Sequence, residues 1–144
     1  MATDRTAQVT WEGDLMSGKG RIETVTSGAF GGLDVNWPAR SEEPGGMTSP
    51  EELIAAAHAA CLSMALSHGL AEDGHPPEQL ETAATVTFQP GEGITKIALE
   101  VRGRVPGLDE DGFRRAAETA KDNCPVSKAL ASVPEISLDA QLAG

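Results

Sequence analysis

The chain has 144 residues, of which 40% are hydrophobic and 23% charged, a composition typical of a globular protein with one domain, residues 1–144. The formal net charge is −11 at pH 7. This acidic balance argues against a nucleic-acid or membrane partner, because phosphate-rich surfaces attract clustered Lys and Arg. Aromatic residues make up only 3% of the chain, so the core is expected to consist of Ala, Leu, Ile and Val.

Three strands are predicted in the first part of the chain. Residues 8–12 and 20–26 alternate apolar and polar side chains, and turn residues lie between them, which together predict a β-hairpin. Residues 33–37 predict a third strand that ends at Pro38. The segment 39–48 is rich in Pro and Gly and lacks a periodic apolar pattern, which predicts a loop.

A long helix is predicted from residue 50 to about residue 72. Ser49 suits the N-cap, Pro50 suits the first helical position, and Glu52 completes a capping box with Ser49. The apolar positions leave little polar face, so we expect burial on most sides. Packing of this helix against its copy in a second subunit would supply the missing partner surface.

The second half of the chain alternates strands and helices. Strands are predicted at 81–88, 94–105 and 136–142, and helices at 109–122 and 126–131. The order β-β-β-α-β-β-α-α-β, with strands in runs that look antiparallel, predicts an α+β fold rather than a doubly wound parallel sheet.

The sequence also bears on the cellular compartment. Residues 1–6 contain no apolar run, so neither a signal peptide nor an anchor is expected. The apolar stretch 53–70 is interrupted by His58, His68 and small polar residues, which argues against a membrane span. We therefore expect a cytoplasmic protein, in which thiols are kept reduced.

The two cysteines are the main candidates for chemistry. Cys61 lies within the long helix, and Cys124 precedes Pro125 at the start of the short one. Two thiols in a reducing compartment favour a couple that cycles between dithiol and disulfide. The alternative is that both cysteines are inert packing residues. This interpretation is weaker for Cys124, because a helix start stabilises a thiolate. No spacing typical of a structural metal site is present.

A nucleophilic thiol needs a group that favours its ionised form. Arg40 stays cationic and would stabilise a Cys61 thiolate, while Glu51 would hold that arginine in place. His58 shares a helix face with Cys61 and is an alternative base, although a core histidine bonded to a carbonyl is the plainer interpretation. Glu51 and Cys61 lie roughly 15 Å apart along the helix. We therefore hypothesise that a partner subunit supplies Arg40 and Glu51 to each Cys61.

Several segments carry a family resemblance. Residues 48–66, which include Ala-His-Ala-Ala-Cys, are similar to the signature helix of the OsmC/Ohr hydroperoxide reductases, and residues 123–130 are similar to the second-cysteine motif of that family. Further matches lie at residues 11–15, 18–20 and 94–99. The Ala-His-Ala-Ala-Cys and Trp-Glu-Gly-Asp motifs favour the osmotically inducible OsmC branch over the Ohr branch.

The resemblance implies an OsmC-like α+β fold, with antiparallel sheets packed around a long central helix in an intertwined homodimer. It implies a peroxidase in which Cys61 is peroxidatic and Cys124 is resolving, with Arg40 and Glu51 orienting the first thiol. The loop after Arg40 differs slightly in length from the family pattern, which leaves Arg21 as the alternative arginine.

The same resemblance implies a mechanism for an antioxidant enzyme of the oxidative stress response. Cys61 reduces an organic, or inorganic, hydroperoxide and becomes a sulfenic acid, Cys124 forms a disulfide with it, and an external dithiol of the lipoyl type restores both thiols. No metal, haem, flavin or other cofactor is expected. Two alternatives stay open: a thiol–disulfide exchange protein, which the lack of Cys-x-x-Cys disfavours, and a non-catalytic binding module.

Overall fold

A β-hairpin begins the chain, as the alternating pattern predicts. Strand β1 (Ala7–Glu12) pairs antiparallel with β2 (Lys19–Val25), and β2 pairs antiparallel with the short β3 (Leu33–Val35). In the hairpin turn, the Asp14 carboxylate accepts hydrogen bonds from the hydroxyl and the N–H of Ser17. These bonds hold the pKa of Asp14 below its ordinary value.

A short helix, α1 (Trp37–Ser41), follows β3, where a strand end and a loop were expected. The Asn36 side chain caps this helix by accepting a hydrogen bond from the Ala39 N–H at 2.7 Å. Pro38 lies in the first turn, where its missing N–H has no intrahelical partner to lose. This helix positions Arg40. It was not predicted, because the Pro and Gly residues further along the chain are typical of a loop.

The long helix α2 (Pro50–Glu72) begins at the predicted cap. The Glu52 N–H donates to Ser49 Oγ at 3.2 Å, and the Glu52 carboxylate accepts from Thr48 Oγ1 at 2.8 Å. Both bonds satisfy polar groups of the first turn and fix where the helix starts.

The computed structural model describes residues 1–143, so Gly144 lies outside it. Two compact units are present, Met1–Leu53 and a second unit that begins at Ile54. The first unit contains the three-stranded sheet and α1, and the second contains the helices and strands that follow. The single domain over residues 1–144 stays a prediction.

The second unit contains a mixed three-stranded sheet. Strands β4 (Gln79–Gln89) and β5 (Gly93–Arg104) pair antiparallel, but β6 (Glu135–Leu142) pairs parallel with β5. This pair departs from the predicted antiparallel sheets. The chain between β5 and β6 forms α3 (Glu110–Asn123) and α4 (Pro125–Ala129), which provide the long crossover that parallel strands require.

One hydrophobic core holds the second unit together. Leu62, Leu66 and Leu70 of α2 pack in it with Phe113, which is fully buried on α3. The buried face of β5 was predicted from its alternation and consists of Ile97, Leu99 and Val101. Gly103 leaves room for the aromatic ring, because a Cβ at that position would lie 2.5 Å from Phe113 Cε1.

Within one chain α2 is buried along one side only, so its burial on most sides stays a prediction that depends on a second subunit. Among its residues from Ile54 onwards, the buried ones form a single stripe: His58, Leu62, Leu66 and Leu70. The other side is exposed and apolar: Ala56, Ala57, Ala60 and Met64. Within the described chain, α2 is also the one helix long and apolar enough to cross a membrane, judged by length and composition. Its leucine stripe in the core accounts for part of that apolar character.

Candidate active site

Three helices of the second unit position the cysteines. Cys61 lies in the middle of α2 and is partly exposed, whereas Cys124 is fully buried between α3 and α4. The Cys124 N–H donates to the Ala120 carbonyl at 2.8 Å and ends α3, while the Cys124 carbonyl accepts from the Lys128 N–H at 3.0 Å and begins α4. These backbone bonds hold the Cys124 side chain at a fixed point of the fold.

The two cysteine side chains are neighbours. Both are free thiols, and a hydrogen bond joins them. They are separated by 63 positions in the sequence (124 − 61), so the fold of the second unit creates this contact. The sequence-based expectation that the two sulfurs lie together agrees with this arrangement.

Hydrogen bonds distribute the charge unequally over the pair. Burial raises the pKa of the Cys61 thiol, and the adjacent Cys124 sulfur raises it further, against a bond from the Val126 N–H that lowers it. Burial also acts to raise the pKa of Cys124, but donors from Cys61, Ser127 and Val126 together hold it below its ordinary value. From the sequence we expected the resting thiolate at Cys61; within this unit the donors instead favour it at Cys124.

His58 joins the site through a serine that the sequence did not single out. His58 is fully buried, and its Nε2 lies 2.7 Å from Ser127 Oγ. Burial lowers the pKa of His58, which favours the neutral imidazole. The histidine therefore bonds a hydroxyl rather than the expected carbonyl, and its bond leads toward Cys124 rather than Cys61. The sequence signals for Ser127 were its place three residues after Cys124 and within the second-cysteine motif, residues 123–130.

Arg40 and Glu51 form a bidentate ion pair in the first unit. Arg40 Nη2 lies 2.7 Å from Glu51 Oε2, and Arg40 Nε lies 3.0 and 3.1 Å from the two carboxylate oxygens. Glu51 is buried, while the Arg40 side chain keeps 32% exposure. Such a pair fixes the plane of the guanidinium. Arg21, the alternative arginine, lies exposed beside Glu23 and Asp34.

A small cavity of the first unit adjoins Arg40. Its volume is about 80 Å³, and both tryptophans of the chain line it. The full lining comprises Trp11, Leu15, Val35, Asn36, Trp37, Arg40 and Pro50. One side of the arginine thus faces mostly apolar walls. Within residues 1–143, no group of three or more His, Cys, Asp or Glu side chains is arranged to hold a metal ion.

Known proteins place these features in a family. The model of the family described as OsmC-like protein matches residues 43–139. Over 145 aligned positions, 99% of each chain, the sequence is 44% identical to Peroxiredoxin OsmC of Escherichia coli (strain K12). The chain belongs to the OsmC-like protein family. The family match includes Glu51, Cys61 and Cys124, while Arg40 lies just before it.

Solved structures share the OsmC-like fold. The organic hydroperoxide resistance protein OhrB of Bacillus subtilis has a TM-score of 0.65 and 27% identity, with 96% of this chain and 98% of that chain covered. An organic hydroperoxide resistance protein OsmC from Legionella pneumophila has a TM-score of 0.65 at 23% identity, with 96% and 97% covered. The predicted family and the α+β class are therefore confirmed, whereas the catalytic roles of Cys61, Cys124, Arg40 and Glu51 stay predictions.

Proposed function

We propose that this OsmC-like protein is a cysteine-based peroxidase that reduces organic hydroperoxides to alcohols. The observation that carries the proposal is the hydrogen-bonded pair of free thiols, Cys61 and Cys124. The names of two relatives, Peroxiredoxin OsmC and an organic hydroperoxide resistance protein, support the reaction and the substrate class. The apolar cavity beside Arg40 suits the alkyl part of such a substrate.

The first step takes place at Cys61, because this thiol is the more exposed of the two. Its sulfur attacks the distal oxygen of the hydroperoxide while its proton passes to the hydrogen-bonded Cys124 sulfur. The O–O bond breaks, the alkoxide takes that proton and leaves as an alcohol, and Cys61 becomes a sulfenic acid. Arg40, held by Glu51, stabilises the charge that develops on the leaving oxygen.

The second step joins the two sulfurs. Cys124 attacks the Cys61 sulfenic acid and forms a disulfide, and the hydroxide that leaves takes a proton from solvent and becomes water. An external dithiol, for which a lipoyl-type group is our candidate, then reduces the disulfide by exchange. A reducing cytoplasm is the compartment that suits this cycle.

The complete enzyme is a homodimer in this proposal, and the partner subunit supplies Arg40 and Glu51 to each Cys61. The exposed apolar side of α2 supports a second subunit, because such a face is costly to leave in water. The ten-residue separation of Glu51 and Cys61 along α2, roughly 15 Å, supports supply from the partner.

Rapid mixing of the reduced protein with an organic hydroperoxide tests the proposed function. We expect one alcohol per thiol pair, a disulfide in the wild type, and a trapped sulfenic acid at Cys61 in Cys124→Ser, identified by mass spectrometry. Cys61→Ser should not consume hydroperoxide. Full peroxidase activity of Cys61→Ser would overturn the proposal, and rapid exchange with protein disulfides without reaction with hydroperoxide would favour a thiol–disulfide exchange protein.

A further inference from the structure

A buried polar chain leads away from the cysteine pair. Ser127 donates to the Cys124 sulfur, and Ser127 Oγ lies 2.7 Å from Nε2 of the fully buried His58. His58 and Ser127 are 69 residues apart in the sequence, so the tertiary fold creates this contact. Neither side chain touches the peroxide in the reaction proposed above, yet burial of an imidazole is costly without a hydrogen-bond partner.

The orphaned ring nitrogen sets the direction of the chain. His58 Nδ1 is buried and has no hydrogen-bond partner among the described residues. A buried N–H donor without an acceptor is rarer than a buried acceptor without a donor, so the ring proton belongs on Nε2. His58 therefore donates to Ser127 Oγ. The single hydroxyl proton of Ser127 is then directed at the Cys124 sulfur.

We propose that His58 and Ser127 are positioning residues for the second half of the catalytic cycle: His58 orients the Ser127 hydroxyl so that it donates to the Cys124 sulfur and holds that sulfur as the attacking thiolate. The proposal rests on the peroxidase function proposed above. The titratable groups joined to Cys124 through these bonds are Cys61 and His58, both on α2, and α4 contributes Ser127 and the Val126 N–H.

The chain acts on one bond-forming step. The Cys124 thiolate attacks the sulfur of the Cys61 sulfenic acid, the S–S bond forms and the S–O bond breaks. The oxygen leaves as hydroxide and becomes water with one proton from solvent. When the alkoxide has taken the shared proton in the first step, Cys124 is left ionised, and the Ser127 donor keeps it so until it attacks.

Loss of the Ser127 donor has opposite effects at low and high pH. A thiol with a higher pKa is less ionised near neutral pH, but its thiolate is intrinsically more nucleophilic. For each unit by which the Cys124 pKa rises above the measured pH, disulfide formation slows about threefold, whereas at a pH where the thiol is fully ionised it speeds up by about the same factor. A merely structural role for Ser127 would not produce this crossover.

Ser127→Ala and Ser127→Thr form the matched pair for the test, since Thr keeps the hydroxyl. Stopped-flow measurements with an organic hydroperoxide separate loss of the Cys61 thiol from formation of the disulfide. In Ser127→Ala we expect a disulfide step slowed about threefold or more near neutral pH, and a crossover in alkaline solution. The first step, in which Cys124 accepts the Cys61 proton, is measured separately. Ser127→Thr should stay close to wild type. Equal disulfide rates for wild type and Ser127→Ala across the pH range would overturn the proposal.

The role of His58 is tested with His58→Gln and His58→Leu. The Gln side chain carries a terminal N–H group that can replace Nε2 as donor, whereas Leu carries none. We expect disulfide formation to slow in His58→Leu and to recover in His58→Gln. If disulfide formation is as slow in His58→Gln as in His58→Leu, the positioning role of His58 is overturned.

A thiol assay separates this inference from the peroxidase proposal. In the Cys61→Ser background, the ultraviolet absorbance of the thiolate reports the ionisation of the buried Cys124 alone, with or without Ser127→Ala. We expect the pH midpoint of this absorbance to rise when Ser127 is replaced, and an unchanged midpoint would overturn the inference. Failure of Cys61 to react with hydroperoxides would overturn the peroxidase proposal without moving this midpoint.

Discussion

The buried cysteine receives most of the hydrogen-bond donors around the thiol pair. Cys61, Val126 and Ser127 all donate to the Cys124 sulfur, whereas the Cys61 sulfur gains one stabilising bond, from Val126. Cys124 is also fully buried, which keeps a bulky hydroperoxide away from it. A charged but shielded sulfur next to a neutral but reachable one favours reaction at Cys61 first, with Cys124 as base and later as nucleophile.

The buried imidazole predicts a pH-dependent stability. Burial lowers the pKa of His58 from its ordinary value of 6.5, so below that pH the unfolded chain binds a proton that the folded chain does not. The free energy of unfolding should therefore fall as the pH decreases from 6.5 toward the lowered folded-state pKa, and this part of the slope should vanish in His58→Gln.

Urea unfolding at a series of pH values measures this effect. His68→Gln is the matched control, because it makes the same substitution at a side chain that is 76% exposed. An unchanged slope in His58→Gln would contradict the assignment of the slope to the buried histidine.

At the scale of elements, the sequence predicted the features that depend on residues close together in the chain. The start of α2 was predicted because its signals lie within one turn: Pro50 suits the first helical position, and the Glu52 N–H donates to Ser49 Oγ. Helix α1 was missed because its Asn36 cap directly follows the alternating residues of β3 and was assigned to that strand. The parallel pairing of β6 was missed because strand direction depends on the crossover through α3 and α4, which no local pattern records.

The same division applies to the candidate site. The reactivity of thiols and the resemblance of two motifs were enough to nominate Cys61 and Cys124, and the chemistry of guanidinium and carboxylate groups nominated Arg40 with Glu51. Ser127 was not predicted as a site residue, because its partner His58 is 69 residues away in the sequence. A serine in a helix turn is ordinary on its own, and only the fold shows which buried group it meets.

The contact between β5 and α3 predicts the effect of one added methyl group. A Cβ at Gly103 would lie 2.5 Å from Phe113 Cε1 and 3.1 Å from Leu80 Cδ2, inside the hydrophobic core. Gly103→Ala should therefore lower the free energy of unfolding by about 1–3 kcal/mol. Denaturant unfolding monitored by circular dichroism measures the change.

Gly69→Ala is the control of opposite sign. Gly69 lies in α2, and a Cβ there would meet no atom within 4 Å. Because Ala favours a helix over Gly, this substitution should raise the free energy of unfolding by about 0.5–1 kcal/mol. Stability unchanged by Gly103→Ala would contradict the tight packing at Phe113.

At the scale of the whole molecule, the exposed apolar side of α2 predicts self-association. Met64 is 73% exposed, and Ala56, Ala57 and Ala60 lie exposed on the same side of the helix. Met64→Lys should weaken a dimer strongly, because a lysine there would have to be desolvated at the interface. The chain carries a net charge of −11, so the added positive charge reduces repulsion between copies, and loss of the dimer could not be attributed to repulsion.

Light scattering coupled to size-exclusion chromatography measures the oligomeric state. Thr85→Lys is the matched control, because Thr85 is exposed on β4 and the substitution adds the same charge away from α2. A wild-type monomer, or a Met64→Lys variant that dimerises as well as the wild type, would contradict association through this face.

Hybrid dimers test whether the partner subunit supplies Arg40 and Glu51 to each Cys61. Cys61→Ser and Arg40→Ala should each be nearly inactive as homodimers. In a hybrid of the two, one site would combine an intact Cys61 with an intact Arg40 from the other subunit. Random exchange of subunits makes about half of the dimers hybrids with one working site each, so activity should recover to roughly a quarter of the wild-type value.

The control for the hybrid experiment mixes Arg40→Ala with Glu51→Ala. In such a hybrid, each Cys61 would face an ion pair that lacks one member, because Arg40 and Glu51 come from the same chain and bind each other at 2.7 Å. No activity should return in this mixture. Native mass spectrometry verifies that hybrids form in both mixtures. If hybrids of Cys61→Ser and Arg40→Ala form but stay inactive, each subunit must use its own arginine, and the shared site is wrong.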